Sequence, residues 1–277
     1  MPNFGYHFAR AEASAIRSLY RAALPQIIRR RSNVPAALPF EVYSYSGEMA
    51  LPEQVASIRS LLRHAGRPRK FTVVSDGSYT TRSLEVLRAL DDSVTVAPAN
   101  EWQPRDVPEG IRSYLAAHPT GRQLALIMSL PAAGPALYLD SDVLFFPGAS
   151  ILRSLATAAS ALYLADCQVS ADERLFRTAT ERENPVNTGV LFLTEKLDWS
   201  LGIGRFLELD GAPNFFTNQT ITHLVMHANK AQPFDRRQFV LQLDDQFSYA
   251  DRSAGPEIVL RHYVNPVRHK FWTALRR

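Results

Sequence analysis

The sequence predicts an α/β fold: a mixed, mainly parallel sheet flanked by helices, Rossmann-like in its N-terminal half. Three observations carry this expectation. Strand-like and helix-like patterns alternate through roughly the first 150 residues, the order that builds parallel strands joined by right-handed crossovers. Polar residues close the strand-like runs, with Ser44, Tyr45 and Ser46 at the first, Asp76 at the second and Asp140-Ser141-Asp142 at a later one. Sheets of this kind bind ligands at the carboxyl ends of their strands. The 277 residues are 46% hydrophobic and 21% charged, an ordinary globular balance with enough chain for a sizeable core.

The elements follow in order. Residues 8–31 draw as a helix with Ile16, Leu19, Tyr20, Leu24 and Ile27 on one side and arginines around it. Pro25 should kink or end it. Two readings stand: a helix packed on the domain, or a basic amphipathic segment in peripheral contact with anionic lipid. Residues 40–45 alternate and are rich in aromatics, so they read as the first strand. Residues 52–64 read as a helix, with Pro52 in its first turn and Val55, Ile58, Leu61 and Leu62 apolar. A second strand and turn over 71–77, a helix over 80–90 and a short strand over 94–96 come next. Residues 115–130 are mainly helical and lead into the strand that ends at Asp140. The second half is less regular. It offers strands over 161–165, 190–193, 239–243 and 258–262, helices over 199–207 and 217–226, and a polar loop or helical excursion over 170–185. No internal repeat or low-complexity linker divides the chain. It reads as a basic helical extension, residues 1–38, and one domain, residues 39–277, with a nucleotide-binding half (39–150) and an acceptor- and metal-completing half (151–277).

The formal charge of +4 suits an anionic partner. Much of the excess lies in Arg29-Arg30-Arg31 and Arg276-Arg277. The interleaved aromatic and basic pattern of single-strand nucleic-acid binders is missing, so nucleic acid is not expected. One cysteine, Cys167, leaves no intrachain disulfide and fits a reducing compartment. Residues 1–21 carry His7, Arg10, Glu12 and Arg17 where a leader would be apolar. The longest apolar stretch, 124–139, is broken by Ser129, Pro131, Gly134 and Pro135, too short and interrupted to span a bilayer. The expected location is cytoplasmic, with contact to the inner face of the membrane through residues 8–31 as the variant.

Chemistry concentrates at Asp140-Ser141-Asp142, between two apolar runs. Carboxylates at the exit of a core strand need a counter-charge. A hard divalent cation supplies it and completes its shell with phosphate oxygens. The plainer reading is an Asp-rich turn. With the cation absent, two like charges repel, so neutralising Asp142 should leave stability level or raise it.

Tyr138-Leu139-Asp140-Ser141-Asp142-Val143-Leu144 resembles the Asp-x-Asp motif of nucleotide-sugar glycosyltransferases with the GT-A fold. Leu164-Ala165-Asp166, followed by Val186-Asn187-Thr188-Gly189-Val190, is similar to the Asp and the Asn-Ser/Thr-Gly-Val of glycosyltransferase family 8, the glycogenin-like retaining enzymes. The stretch from His262 to Trp272 resembles that family's His-(x)-Gly-(x)-Lys-Pro-Trp ending. Asn265-Pro266 replaces its glycine and Phe271 its proline, the pattern of a divergent member. The three blocks occur in the family's order.

The resemblance implies a GT-A fold and a metal-dependent, retaining transfer of sugar from a nucleotide diphosphate, expected to be a UDP-sugar, to a saccharide, lipid or protein acceptor. It makes Asp140, Asp142 and His262 ligands of Mn²⁺ or Mg²⁺, with Asp140 contacting metal or ribose. Imidazole among carboxylates tilts the choice to Mn²⁺. Arg268 and Lys270 are candidates for the diphosphate, with Trp272 anchoring that segment as it closes over the donor. Asp166, Asn187 and Gln219 are candidates for the sugar side. Tyr45, Asp76 and Arg122 complete the candidate donor residues. Each has a plainer reading: a strand-end histidine, a turn asparagine, an exposed helix glutamine, a solvated arginine. Two other functions compete. A haloacid-dehalogenase-type phosphatase also uses Asp-x-Asp, but on its first strand. A non-catalytic metal- or sugar-binding module would need a closed coordination shell.

Overall fold

The computed structural model describes residues 3–30, 34 and 36–275. Arg31, Arg276 and Arg277, three of the terminal charges, lie outside the described residues. The chain opens with helix α1 (Phe4–Ile27), capped by the Asn3 side chain, which accepts the Tyr6 N–H. Pro25 sits in its last turn and ends it two residues later, since proline offers no amide to continue the ladder.

Strands and helices then alternate: β1 (Glu41–Ser46), α2 (Leu51–His64), β2 (Phe71–Ser75), α3 (Thr81–Arg88), β3 (Val94–Pro98), α4 (Glu109–Ala117), α5 (Pro119–Ser129) and β4 (Ala136–Leu139). The sequence reads one mainly helical stretch over 115–130, whereas two helices meet at His118. Pro119 is favoured in a first turn, and the extended His118 caps the new helix by accepting the Thr120 N–H. The remaining elements are β5 (Val143–Phe145), β6 (Leu162–Ala165), β7 (Val186–Leu193), α6 (Ser200–Leu207), α7 (Thr217–Ala228), β8 (Gln232–Pro233), β9 (Phe239–Val240), β10 (Leu260–His262) and α8 (Lys270–Ala274). Residues 170–185 form an irregular excursion with two short 3₁₀ turns.

The main sheet runs β3-β2-β1-β4-β7-β6-β8. Strands β1 to β4 are parallel to one another, and β7 inserts antiparallel between β4 and β6. Every residue of β2, β4 and β7 is buried, as expected of strands covered on both faces. On one face Val42, Val73, Leu137 and Leu139 pack with Val55, Ile58 and Leu61 of α2 and Leu87 of α3. On the other, Tyr43, Val74, Tyr138 and Leu191 pack with side chains of α4, α5, α6 and α7. The period-2 alternation of strand side chains thus builds a three-layer α/β sandwich.

A second sheet, β5-β10-β9, fixes the site. Its antiparallel register sets His262 opposite Val143, the residue after Asp142. Because β7 runs antiparallel to β4, its first residues reach the end of β4, where the Asp140 N–H donates to Gly189 O at 2.8 Å.

Candidate active site

The carboxyl end of β4, the start of β7 and the end of β10 converge on a polar cavity of about 320 Å³. Asp140, Asp142 and His262 each offer it a ligand atom, and those atoms lie within 4.8 Å of one another. His262 Nε2 stands 3.0 Å from Asp142 Oδ1 and 3.6 Å from Asp140 Oδ2.

A relay of hydrogen bonds orients the imidazole. Asn187 Nδ2 donates to Asp166 Oδ2 at 3.1 Å, which fixes the flip of the amide. Asn187 Oδ1 therefore faces the other way and accepts the Gly189 N–H at 2.9 Å. The same oxygen receives the Nδ1–H of His262 at 2.9 Å. With Nδ1 committed as donor, Nε2 either carries a proton between the two carboxylates or lends its lone pair to a cation. Two carboxylates and one such imidazole form a donor set that fits Mn²⁺ or Mg²⁺. Gly189 makes the arrangement possible, since a Cβ there would lie 2.0 Å from His262 Cε1.

The charges are uneven. Asp142 is buried, which by itself raises its pKa; His262 and Arg268 outweigh that and lower it to about 2. Arg268 grips Asp142 Oδ2 through Nε at 3.1 Å and Nη2 at 2.5 Å. Arg268, and His262 when protonated, oppose the like-charge repulsion expected at Asp142, so its charge is expected to stabilise the fold. Asp140 differs, its pKa raised by burial and by the Asp142 charge. Its side chain keeps 27% exposure, an open flank toward the cavity. For His262, burial lowers the pKa, but Asp142 and Asp140 together hold it above the usual histidine value.

The sugar-side candidates gather beside this cluster. Asp166 follows β6 and accepts from Asn187 and, at 3.4 Å, from Gln219 Nε2. Gln219 also donates to Ser170 O at 2.9 Å. All three residues line the cavity. Tyr45, Asp76 and Arg122 meet one another at the ends of β1 and β2. There Arg122 Nη1 donates to Asp76 O at 3.2 Å, and Asp76 Oδ1 accepts the Ser78 N–H and hydroxyl. Burial and Asp76 raise the Tyr45 pKa. None of the three is among the residues lining this cavity.

Lys270 is placed elsewhere. It is fully buried and donates to Ser248 O and Oγ at 3.2 Å and to Ala250 O at 2.6 Å, with Asp245 Oδ2 at 3.3 Å. Its ammonium lies in a buried network with Arg261, Asp245 and Asp251, and Lys270 is not among the residues lining the cavity. Trp272 is also buried, its ring 5.2 Å from that of Tyr20 on α1.

Three residues around Asp140 escape the sequence reading, Gln123 and Asn218 lining the cavity and Tyr138 buried behind it. Gln123, not its neighbour Arg122, reaches Asp140, with Nε2 donating to Oδ1 at 2.9 Å. Tyr138 donates to the same oxygen at 2.8 Å. Asn218, beside Gln219, donates to Gln123 Oε1 at 2.8 Å. The only signal for them is adjacency to residues already singled out.

No protein-family model and no curated protein sequence matches the chain. Solved structures do. The galactosyltransferase LgtC in complex with donor and acceptor sugar analogs is 12% identical at a TM-score of 0.53, over 86% of this chain and 95% of that one. Mouse xyloside xylosyltransferase 1, in its apo form, is 14% identical at 0.54, over 83% and 99%. The apo structure of the bifunctional glycosyltransferase WbbM is 12% identical at 0.57, over 89% of this chain and 50% of that one. These likenesses give the chain the fold of the GT-A glycosyltransferases, a mixed α/β sheet flanked by helices.

Proposed function

We propose that this chain, with its GT-A fold, is a glycosyltransferase that moves a sugar from a nucleoside diphosphate, UDP being the expected nucleotide, to an acceptor hydroxyl. The observation that carries the reading is the Asp140, Asp142 and His262 cluster, set in one cavity with Asp166, Asn187 and Gln219. Asp140, Asp142 and His262 would hold Mn²⁺ or Mg²⁺, whose charge neutralises the diphosphate leaving group.

The chain's own residues do the rest. Asn187 keeps the His262 Nδ1–H engaged, so Nε2 points at the carboxylates. Gln123 and Tyr138 hold Asp140 Oδ1 and leave its other oxygen to the cavity. Arg268, 54% exposed at its side chain, can pair with phosphate from its place on Asp142. Asp166 and Gln219 bracket hydroxyls of the transferred sugar, accepting through the carboxylate and donating through the amide. Retention of anomeric configuration follows from the family resemblance.

The dehalogenase-type phosphatase has no comparable support, because Asp140 follows the fourth strand of a GT-A sheet rather than the first. The test is a panel of nucleotide sugars incubated with the protein and Mn²⁺ and read by nucleotide release. Release from one donor, lost in Asp142→Asn, is expected. Release of inorganic phosphate from phosphomonoesters, with no nucleotide release, would overturn the proposal.

A further inference from the structure

Helix α1 is apolar on two faces, and only one of them is covered. Ala9, Ala13 and Leu24 are buried against the domain, with Ile16, Tyr20 and Ile27 packed beside them. Phe4, Phe8, Ala11, Leu19 and Ala22 form a second stripe on one side of a 3.6-residue helix, interrupted by the small hydroxyl of Ser18. All five are exposed, and Phe4, Phe8 and Leu19 keep 67%, 68% and 69% of their surface in water.

A separate segment extends the apolar surface. Phe247 and Tyr249, 57% and 54% exposed, flank the first turns of α1. The Phe247 ring lies 5.6 Å from that of Tyr6, and the Tyr249 hydroxyl donates to Glu12. Four large aromatics thus stand more than half exposed around one helix end, a grouping a free monomer seldom leaves in water.

The charge around this surface names its occupant. Between Phe4 and Arg30 the chain carries five arginines, Arg10, Arg17, Arg21, Arg29 and Arg30, and one acid, Glu12. Glu53 and Glu48 hold Arg17 and Arg21; Arg10, Arg29 and Arg30 are exposed. A second copy of so basic a surface would repel it, whereas anionic headgroups complement it. Among the described residues no helix is long and apolar enough to cross a membrane. An amphipathic helix lying in the headgroup plane needs no such span.

We propose that the Phe4, Phe8 and Leu19 stripe of α1, with Phe247 and Tyr249 at its end, is a docking surface for an anionic lipid bilayer. The helix lies along the interface for about 36 Å, its aromatics among the headgroups and Arg10, Arg29 and Arg30 on lipid phosphates. The surface also neighbours the candidate active site: the His269 ring lies 5.4 Å from that of Tyr6, and Arg268, next in sequence, lines the cavity. A docked molecule would hold that cavity close to the bilayer.

The test is cosedimentation of the full chain with vesicles of phosphatidylglycerol and phosphatidylcholine, against phosphatidylcholine alone. Light scattering follows the oligomeric state, and UDP with Mn²⁺ serves as an independent binding control. The expected result is a monomer that binds the anionic vesicles, releases them in high salt, and loses more than about tenfold in partitioning in the triple variant Phe4→Ser, Phe8→Ser, Leu19→Ser. These side chains are exposed, so the variant should keep its melting temperature. No vesicle binding, equal binding to neutral vesicles, undiminished binding by the variant, or a dimer that the three substitutions dissociate would each overturn the proposal.

Discussion

Asn187 shows how one side chain sets the chemistry of its neighbours. Its amide nitrogen is committed to Asp166 and its oxygen to Gly189 and His262, so the tautomer and direction of the imidazole follow from a residue that touches no carboxylate of the candidate metal cluster. Gly189 is the second such case. In Gly189→Ala the new Cβ would occupy the imidazole's place, and Mn²⁺ affinity should fall about 10–100-fold, the scale of losing an orienting partner. Calorimetric titration with Mn²⁺ measures this, and wild-type affinity would contradict it. Asp142→Asn should lower apo stability by about 1–2 kcal/mol, because a carboxyl held at about pKa 2 is stabilising when charged. The sign follows from the depressed pKa: the contribution is whole above the unfolded value and fades as pH falls toward 2. Chemical denaturation of both proteins at neutral pH checks it; equal or higher stability in the variant would restore the repulsion argument. His262 carries the opposite sign. Its raised pKa stabilises the metal-free fold below the unfolded value and is lost as pH rises through the folded one. A proton on Nε2 competes with a cation, so Mn²⁺ should raise the melting temperature more at about pH 8 than at about pH 6. A shift independent of pH would separate His262 from the metal. The approach of Asp140, Asp142 and His262 was legible in part: carboxylates bracketed by apolar runs stand out in one dimension, whereas His262 joined them only through the family resemblance. Gln123 and Tyr138 were not legible, because an uncharged side chain announces its partner only once the helix and strand have been docked.

At the scale of elements, short strands decide the most. Strand β10 has three residues, yet its pairing with β5 brings His262 to Asp142 across 120 positions of sequence. Its middle residue, Arg261, points the other way and is fully buried with Asp245, Asp251 and Lys270. Two acids and two bases in one pocket neutralise one another. Removing one partner is costly, because the remaining charges lose the compensation that let them leave water. Lys270→Met should therefore cost about 3 kcal/mol of stability and leave the affinity of the folded protein for Mn²⁺ with UDP unchanged. Denaturation and calorimetry on one sample distinguish this from a phosphate contact, for which the affinity would fall and the stability hold. The sequence places Lys270 beside Arg268 and suggests a shared role; the start of α8 turns them in different directions. The same limit explains β7, whose Asn187-Thr188-Gly189 reads as a turn before a four-residue strand and is instead the start of an eight-residue one. Its glycine is there for the imidazole packed against it.

For the whole molecule, the alternation of strands and helices was enough to anticipate a mainly parallel sheet covered on both faces, since periods of 2 and 3.6 are local properties of the chain. The antiparallel insertion of β7 between β4 and β6 was not, because strand order depends on contacts between segments some fifty residues apart. That insertion makes the site, for it brings the Asp166 and Asn187 side of the cavity against the Asp140 end of β4. Asp140, Asp142 and His262 would together hold a cation that bridges the protein to a nucleoside diphosphate. Calorimetric titration with UDP, in Mn²⁺ and then in excess chelator, tests it most directly. Saturable binding in Mn²⁺ that disappears in the chelator, and is absent in Asp142→Asn under both conditions, is the predicted result. Equal UDP affinity with and without the cation would contradict it.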